Sequence, residues 1–385
     1  MRIVVCHSPY LSGASSGENR VVADEVRLLR EAGHDVALWQ PRRTMPGAVG
    51  QMRAGTQAVW SRRASRKVER VVRRSQAEIV HCHNLFPALS PAVIRAAAGR
   101  GATVVMSLHN YRLLCLPATF LRDGRTCELC LGRTAWRGVV HGCYRQSRGA
   151  SAVLAASLGV HRALRTFDRV SLFLASSAFM EHKHAEAGFD RARMMVKPNF
   201  AWAGRRREGP GDAFLYLGRL WPEKGVAQLL REWPSGARLV VVGAGPELDE
   251  LRKTAPPEVE FRPPVGPDEV PTLLRGARAL VVPSLSYEGS PRAVLEALAA
   301  GVAVLAPAFG SLPEFVDDGE SGVLVRRGPG GWAAAVRRLQ DDAESERLGD
   351  GAWRAWSERF SPRCGLEALE RAYGRAQEAR ACAGS

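Results

Sequence analysis

Short apolar runs alternate with helical stretches along the chain, and that alternation predicts a parallel, doubly wound α/β architecture. Arg2 to Cys6 reads as a first buried strand. A helix over Gly17 to Arg30 follows, ended by Gly33, and Asp35 to Trp39 reads as the next strand. Ala77 to Cys82, Ala102 to Leu108 and Val170 to Ala175 continue the series. A second series starts at Ala213 to Leu217 and runs through Ala237 to Val242, Val259 to Arg262, Ala279 to Val282, Val302 to Ala306 and Gly322 to Val325. Between the two, Pro198, Gly204, Arg205-Arg206-Arg207 and Gly209-Pro210-Gly211 break any regular pattern, which predicts a linker near Lys197 to Asp212. The tail from Asp350 to Ala381 is helical by composition. The expected organisation is one α/β domain over residues 1–198, a second over 199–355, and a C-terminal helix over 356–385 returning to the first. Ligands of such sheets sit beyond the carboxyl ends of the strands, so the loops that follow strands are the places to look for chemistry.

The length, 385 residues, supports two cores, and a hydrophobic content of 46% fits a globular protein. No segment approaches the roughly 18 apolar residues of a membrane span, and the polar residues after Cys6 leave no apolar core for a signal peptide. The expected location is the cytoplasm. Charge adds one feature: of the net +15, over half comes from residues 42–74, where ten Arg or Lys face the single acid Glu69. Trp60, Ala64, Val68, Val71 and Val72 fall on one helical face of that stretch, and Arg62, Arg63, Arg66, Arg70, Arg73 and Arg74 on the other. An anionic membrane surface on the inner face is one partner for such a stripe, and a merely solvated outer helix is the alternative. Nucleic acid is not expected, because no aromatic residues interleave with the basic ones.

The densest chemistry lies in Tyr287-Glu-Gly-Ser-Pro-Arg-Ala-Val-Leu-Glu296, after the strand that ends near Val282. Ser290 at the N-cap, Pro291 at the first helical position and Gly301 past the end predict a helix beginning near Ser290. The unpaired amides of its first turn, around Gly289 to Arg292, suit a phosphate oxygen. Glu288 flanks that anion and Glu296 lies about two turns on, so two carboxylates surround it and can accept hydrogen bonds from sugar hydroxyls. A surface helix with two solvated glutamates is the other reading of the same spacing. Earlier, Tyr216-Leu-Gly-Arg-Leu-Trp-Pro-Glu-Lys-Gly225 places Arg219 and Lys224 after a strand, a guanidinium and an ammonium suited to a diphosphate. Val242-Gly-Ala-Gly-Pro246 starts like a dinucleotide fingerprint but has Leu248 where the third glycine belongs.

Taken together, Gly218-Arg219 with Glu223-Lys224-Gly225, Val242-Gly-x-Gly-Pro246, Glu288 and Glu296 in an E-x7-E arrangement, and Glu314 in Gly-Ser-Leu-Pro-Glu-Phe-Val resemble the retaining family 4 glycosyltransferases. The resemblance is close over the C-terminal domain and looser over the N-terminal one. It implies the GT-B fold, two Rossmann-like domains facing a cleft, with a UDP or GDP sugar bound mainly to the second. It also implies that Gly218, Arg219 and Lys224 bind the donor diphosphate, that Glu288 contacts the transferred sugar and that Glu296 holds the ribose. The 289–292 turn, Gly289-Ser290-Pro291-Arg292, belongs to the same donor site. Gly17 matches a glycine-rich loop touching the donor phosphate and acceptor, though Ser12-Gly-Ala-Ser-Ser-Gly17 splits the family's paired glycines. Glu18 and Asn110 are acceptor-side candidates, and His109 at a strand end matches a histidine beside the sugar.

What the resemblance implies about chemistry is retaining transfer to a hydroxyl acceptor through an oxocarbenium-like state, with no cofactor and no catalytic metal. No Asp-x-Asp occurs in the chain, so Arg219 and Lys224 take the role of a metal on the diphosphate. The basic stripe points to a lipid-linked saccharide or another cell-envelope precursor as acceptor. A sugar-nucleotide epimerase of the same architecture, and a non-catalytic basic binding module, are the rival readings. Cys115, Cys127, Cys130 and Cys143 cluster after His109, with Cys-x2-Cys at the centre and His141 nearby. Structural zinc is one reading of them and reduced thiols the other.

Overall fold

The computed structural model describes residues 1–10, 16–41, 55–326 and 328–384. The chain divides into two compact units, one made of Met1–Phe120, Glu128–Lys197 and Leu366–Ser385, the other of Leu121–Cys127 and Pro198–Gly365. In the first unit the strands are β1 (Arg2–Cys6), β2 (Asp35–Trp39), β3 (Ile79–Cys82) and β4 (Thr103–Leu108). The hairpin β5 (Leu121–Arg122) and β6 (Arg125–Thr126) comes next, and β7 (Leu172–Ala175) and β8 (Met194–Val196) complete the series. Six of these pair in parallel in the order β2-β1-β3-β4-β7-β8. The second unit holds β9 (Ala213–Leu217), β10 (Leu239–Val242), β11 (Val259–Arg262), β12 (Ala277–Val281), β13 (Ala303–Pro307) and β14 (Gly322–Val325), parallel in the order β11-β10-β9-β12-β13-β14.

Helices cover both faces of each sheet, and for that reason the central strands have no side open to water. Thr103–Leu108, Ile79–Cys82 and Leu239–Val242 are buried at every position. In each sheet the winding reverses direction beside the first strand, between β1 and β3 and between β9 and β12. Loops there leave the carboxyl edge in opposite directions and open a crevice.

The helix Arg62–Ser75 buries Ala64, Val68 and Val72 against β1 and the helix Ala92–Ala98, while Arg62, Arg63, Arg66, Lys67, Arg70, Arg73 and Arg74 are exposed. Ser61 caps it by accepting from the Ala64 amide at 3.3 Å. Trp60 departs from the expected stripe: it precedes the helix and stacks on His161 at 5.2 Å between ring centroids. The basic residues 42–54 lie outside the described residues. At the other end, the predicted single tail becomes helix Asp342–Ala355, a five-residue π turn over Trp356–Phe360 and helix Pro362–Gly384. Pro362 sets the break, because it has no N–H for the previous turn but fits a first helical position. Leu369, Ala372, Tyr373 and Ala376 of this last helix join Ile3, Val5, Val22 and Val26 in the first unit's core.

Candidate functional site

In the second unit the loops after β9 and β12 meet at the point where the winding reverses. The Glu223 carbonyl accepts from the Leu285 amide at 3.0 Å and ties the loops together. Gly225 makes the approach possible. Its φ is +71°, and a Cβ there would stand 2.1 Å from the Pro283 carbonyl oxygen. Lys224, one residue earlier, thereby reaches Glu288, with Nζ 2.7 Å from Oε1. Ser284 Oγ donates to the same oxygen, and Ser311 Oγ donates to the Glu288 carbonyl at 2.8 Å. Burial pushes the Glu288 carboxyl up, but Lys224, Ser284 and Arg219 together hold it below the usual range, so it is ionised at neutral pH.

Arg219 pairs with Glu223 at 3.1 Å, lies over the Trp221 ring at 5.3 Å and keeps 54% of its side chain exposed. Its carbonyl accepts from Tyr216 Oη at 2.7 Å, which fixes the turn at Gly218. Lys224 and Arg219 therefore both act on the Glu288 carboxylate, and Glu223 is a second carboxylate beside Arg219. Glu296 is ion-paired with Arg292 one turn back, at 2.7 Å.

The helix itself starts later than the capping signals predict. It runs over Arg292–Ala299, with Pro291 at the cap position in an extended conformation and no side-chain cap. Ser290 is drawn away, since its Oγ accepts from the Asn199 amide and its carbonyl from Asn199 Nδ2, both at 3.2 Å. The far end is as read: Gly301 has φ +66°, and the amides of Gly301 and Val302 bond the carbonyls of Leu298 and Ala297. The glycines of Val242-Gly-Ala-Gly-Pro246 serve packing. A Cβ on Gly243 would lie 1.9 Å from the Gly218 carbonyl oxygen, and the Leu220 amide donates to Ala244 across the same seam.

In the first unit, the carboxyl ends of β1, β3 and β4 bring together His7, His83 and His109, with His81 inside β3. His83 Nδ1 is 2.8 Å from His109 Nε2. His81 bonds Tyr373 Oη at 2.9 Å and Ser107 Oγ at 2.8 Å, and His7 Nε2 bonds Asn19 Oδ1 at 2.8 Å. Glu25 and Lys197 form an ion pair beside them, each side chain 2% exposed. Burial, reinforced by Lys197 and the neighbouring rings, keeps His83 and His109 far below their usual pKa and puts His81 at about 3, so all three are neutral.

Among the described residues, Glu25, His81 and His83 are the one set of three ligand-type side chains whose donor atoms lie within 4.8 Å of one another. Cys115, Cys127, Cys130 and Cys143 do not form such a set and are not in disulfides. Burial raises the Cys115 thiol to about 11, so it is protonated at neutral pH.

Gly17 is the exposed first residue of the helix Gly17–Glu31, while most of the loop before it lies outside the described residues. Glu18 receives a hydrogen bond from Asn110 Nδ2 at 3.1 Å, so these two candidates do meet. Burial raises Glu18 from 4.5 to about 7 against the opposing pull of Arg112, Asn110 and Tyr10. Folding is therefore linked to proton uptake here: stability is greatest below about pH 4.5 and falls as pH rises through about 7. Glu18→Gln is expected to flatten that fall. Thermal melts of both proteins at about pH 5 and about pH 8 should show a larger drop in Tm for the parent, and equal drops would refute the burial of a protonated Glu18.

Sequence reasoning missed Ser284, Ser311, Tyr216, Glu25, His81, His83 and Lys197. Two signals were legible. His81 and His83 close a strand as His109 does, and Glu25 stands on the apolar face of Val22, Val26 and Leu29.

Two α/β units, each built on a six-stranded parallel sheet, are the architecture of the GT-B class of glycosyltransferase folds. Two family models match the chain, "Glycosyltransferase Family 4" over residues 15–201 and "Glycosyl transferases group 1" over 211–342, and the chain belongs to this family. It is 39% identical over 180 residues to a D-inositol 3-phosphate glycosyltransferase of Streptomyces coelicolor, covering 40% of this chain and 38% of that one. To a GDP-mannose-dependent alpha-(1-6)-phosphatidylinositol monomannoside mannosyltransferase of Mycobacterium tuberculosis it is 32% identical over 209 residues, covering 50% and 54%. The chain thus spans 38% to 54% of the length of these two curated relatives. Among solved structures, sucrose-phosphate synthase from Thermosynechococcus elongatus shares the fold with a TM-score of 0.69 at 15% identity, with both chains fully covered. Anabaena HepE in complex with UDP and glucose does so with 0.65 at 15% identity, over 96% of this chain and 99% of that one.

Proposed function

We propose that the protein is a metal-independent, retaining glycosyltransferase that moves a hexosyl or N-acetylhexosaminyl group from a UDP or GDP sugar to a hydroxyl acceptor. The observation that carries this reading is the convergence of Arg219, Lys224 and Glu288 where the second sheet reverses its winding. Arg219 and Lys224 neutralise the diphosphate as it leaves, which is electrostatic stabilisation of developing charge and needs no bridging cation. Glu288, ionised and held by Lys224 and Ser284, accepts hydrogen bonds from the transferred sugar, and Glu296 takes the ribose hydroxyls. The reaction proceeds on one face of the sugar, with the departing phosphate taking the acceptor's proton. Glu18 and Asn110 of the first unit serve the acceptor. The relatives named for D-inositol 3-phosphate and phosphatidylinositol monomannoside support a polyhydroxyl acceptor bearing phosphate or lipid. Among the described residues no helix is long and apolar enough to cross a membrane, and the exposed guanidinium face of Arg62–Ser75 suits an anionic lipid surface.

The test is a panel of nucleotide sugars, read as thermal stabilisation and as slow hydrolysis or transfer, with Glu288→Ala as control. One UDP or GDP sugar is expected to stabilise the parent and not the variant, and its product should keep the anomeric configuration. Turnover is expected to persist in excess EDTA. Activity lost to chelator and restored by Mg2+ or Mn2+ would sink metal independence, and an isomerised free nucleotide sugar as product would favour the epimerase reading instead.

A further inference from the structure

Glu25, His83 and His109 lie in a line in the first unit. Lys197 donates to Glu25 Oε1, and Glu25 Oε2 lies 3.7 Å from His83 Nε2. Neither Glu25 Oε2 nor His83 Nε2 has a hydrogen-bond partner among the described residues. The other nitrogen of His83, Nδ1, is 2.8 Å from His109 Nε2, and the two ring centroids are 5.1 Å apart with the ring planes 12° from parallel.

A neutral imidazole has one N–H and one lone pair, so a chain of such rings has only two consistent proton arrangements. The carboxylate selects between them. An N–H on His83 Nε2 is attracted by Glu25 Oε2, whereas a lone pair there would be repelled in a buried setting where charge is poorly screened. With the proton on Nε2, His83 Nδ1 must accept, His109 must donate from Nε2, and the His109 lone pair falls on Nδ1.

We propose that Glu25 and His83 are positioning residues that hold His109 as the Nε2–H tautomer, so that His109 offers Nδ1 as an acceptor to a sugar hydroxyl. The identity of that ligand rests on the function proposed above, while the tautomer does not. An acceptor at this atom takes a hydroxyl and discriminates against ionised phosphate oxygens, which can only accept. A metal ion is the rival occupant of these side chains. It is disfavoured because Lys197 already neutralises Glu25, and both ring nitrogens of His81 are engaged by Tyr373 and Ser107.

The experiment is long-range proton–nitrogen correlation on the full chain with 15N-labelled histidine. His83 and His109 are both expected as Nε2–H. Glu25→Gln is expected to invert them: Lys197 captures the amide oxygen, the NH2 turns to His83 Nε2, and both rings move their protons to Nδ1. Glu25→Leu with Lys197→Met removes the bias and should give mixed tautomers, which covers the case of a poorly folded Gln variant. His161, whose Nε2 donates to the Val59 carbonyl at 2.8 Å, should stay Nε2–H in every folded variant. Nδ1–H on His109 in the parent, unchanged tautomers in both folded variants, or stoichiometric zinc bound through His83 would each overturn the proposal. Expected tautomers without nucleotide-sugar turnover would defeat only the proposed function, and turnover with the opposite tautomers only this inference.

Discussion

Lys224→Ala is expected to lower kcat/KM for sugar transfer on the order of 10²–10³-fold, or about 3–4 kcal/mol of transition-state stabilisation. The lysine has two duties that the experiment must separate. Under the proposed function it neutralises the leaving diphosphate, and at 2.7 Å it is the chief opponent of the burial that pushes Glu288 upward. Removing it thus costs some stability as well as rate. Arg219→Ala is the cleaner companion, because that side chain is 54% exposed and its pair with Glu223 adds little to stability. It should lose activity at nearly unchanged Tm. Steady-state kinetics and melts on both variants decide the matter, and full activity in either would leave that cation as a surface residue.

Lys197→Met is expected to destabilise the first unit by about 3–5 kcal/mol, because it strands the Glu25 carboxylate in the interior. The contrast with the exposed pairs is large. Arg27–Glu31, for example, leaves half or more of each side chain in water and should be worth under about 1 kcal/mol. Adding Glu25→Leu to Lys197→Met removes the stranded charge, so the double variant should recover most of the loss. Denaturant unfolding of the three proteins tests this. A double variant as unstable as the single would mean that packing, not charge, governs the position.

Much of the fold was legible because both sheets are parallel and covered on both faces. Their strands appear as unbroken apolar runs such as Val240-Val-Val242 and Val104-Val-Met106, signals that need no knowledge of neighbours. Elements lacking that signal were missed. β8 has only three residues, and the β5–β6 hairpin has two per strand, although its Asp123-Gly124 turn, with φ +51° and +72°, carries a known hairpin signature. The helix after Glu288 was placed one or two residues early. Ser290 is a good cap by type, and only Asn199, 91 residues away, takes its hydroxyl elsewhere.

The candidate site divides along the same line. Arg219, Lys224, Glu288 and Glu296 could be picked out from local spacing and family resemblance, since each sits in a loop or helix directly after a strand. Their arrangement could not. Lys224 and Glu288 are 64 residues apart and meet because Gly225 lets one loop touch another, which is a fact about backbone approach and not about either charged residue. The histidine cluster shows this further: Glu25 and Lys197 are 172 residues apart, and His81 and Tyr373 are 292 apart. By itself the sequence determined the class of fold, the two strand series and the candidate residues for a nucleotide-sugar site, because periodicity and short motifs are properties of adjacent positions. Only the tertiary structure decided which charges pair, which carboxyl is raised to titrate at about 7 and which imidazoles stay neutral. Those outcomes depend on desolvation and on partners within a few ångströms, and only folding brings such partners together.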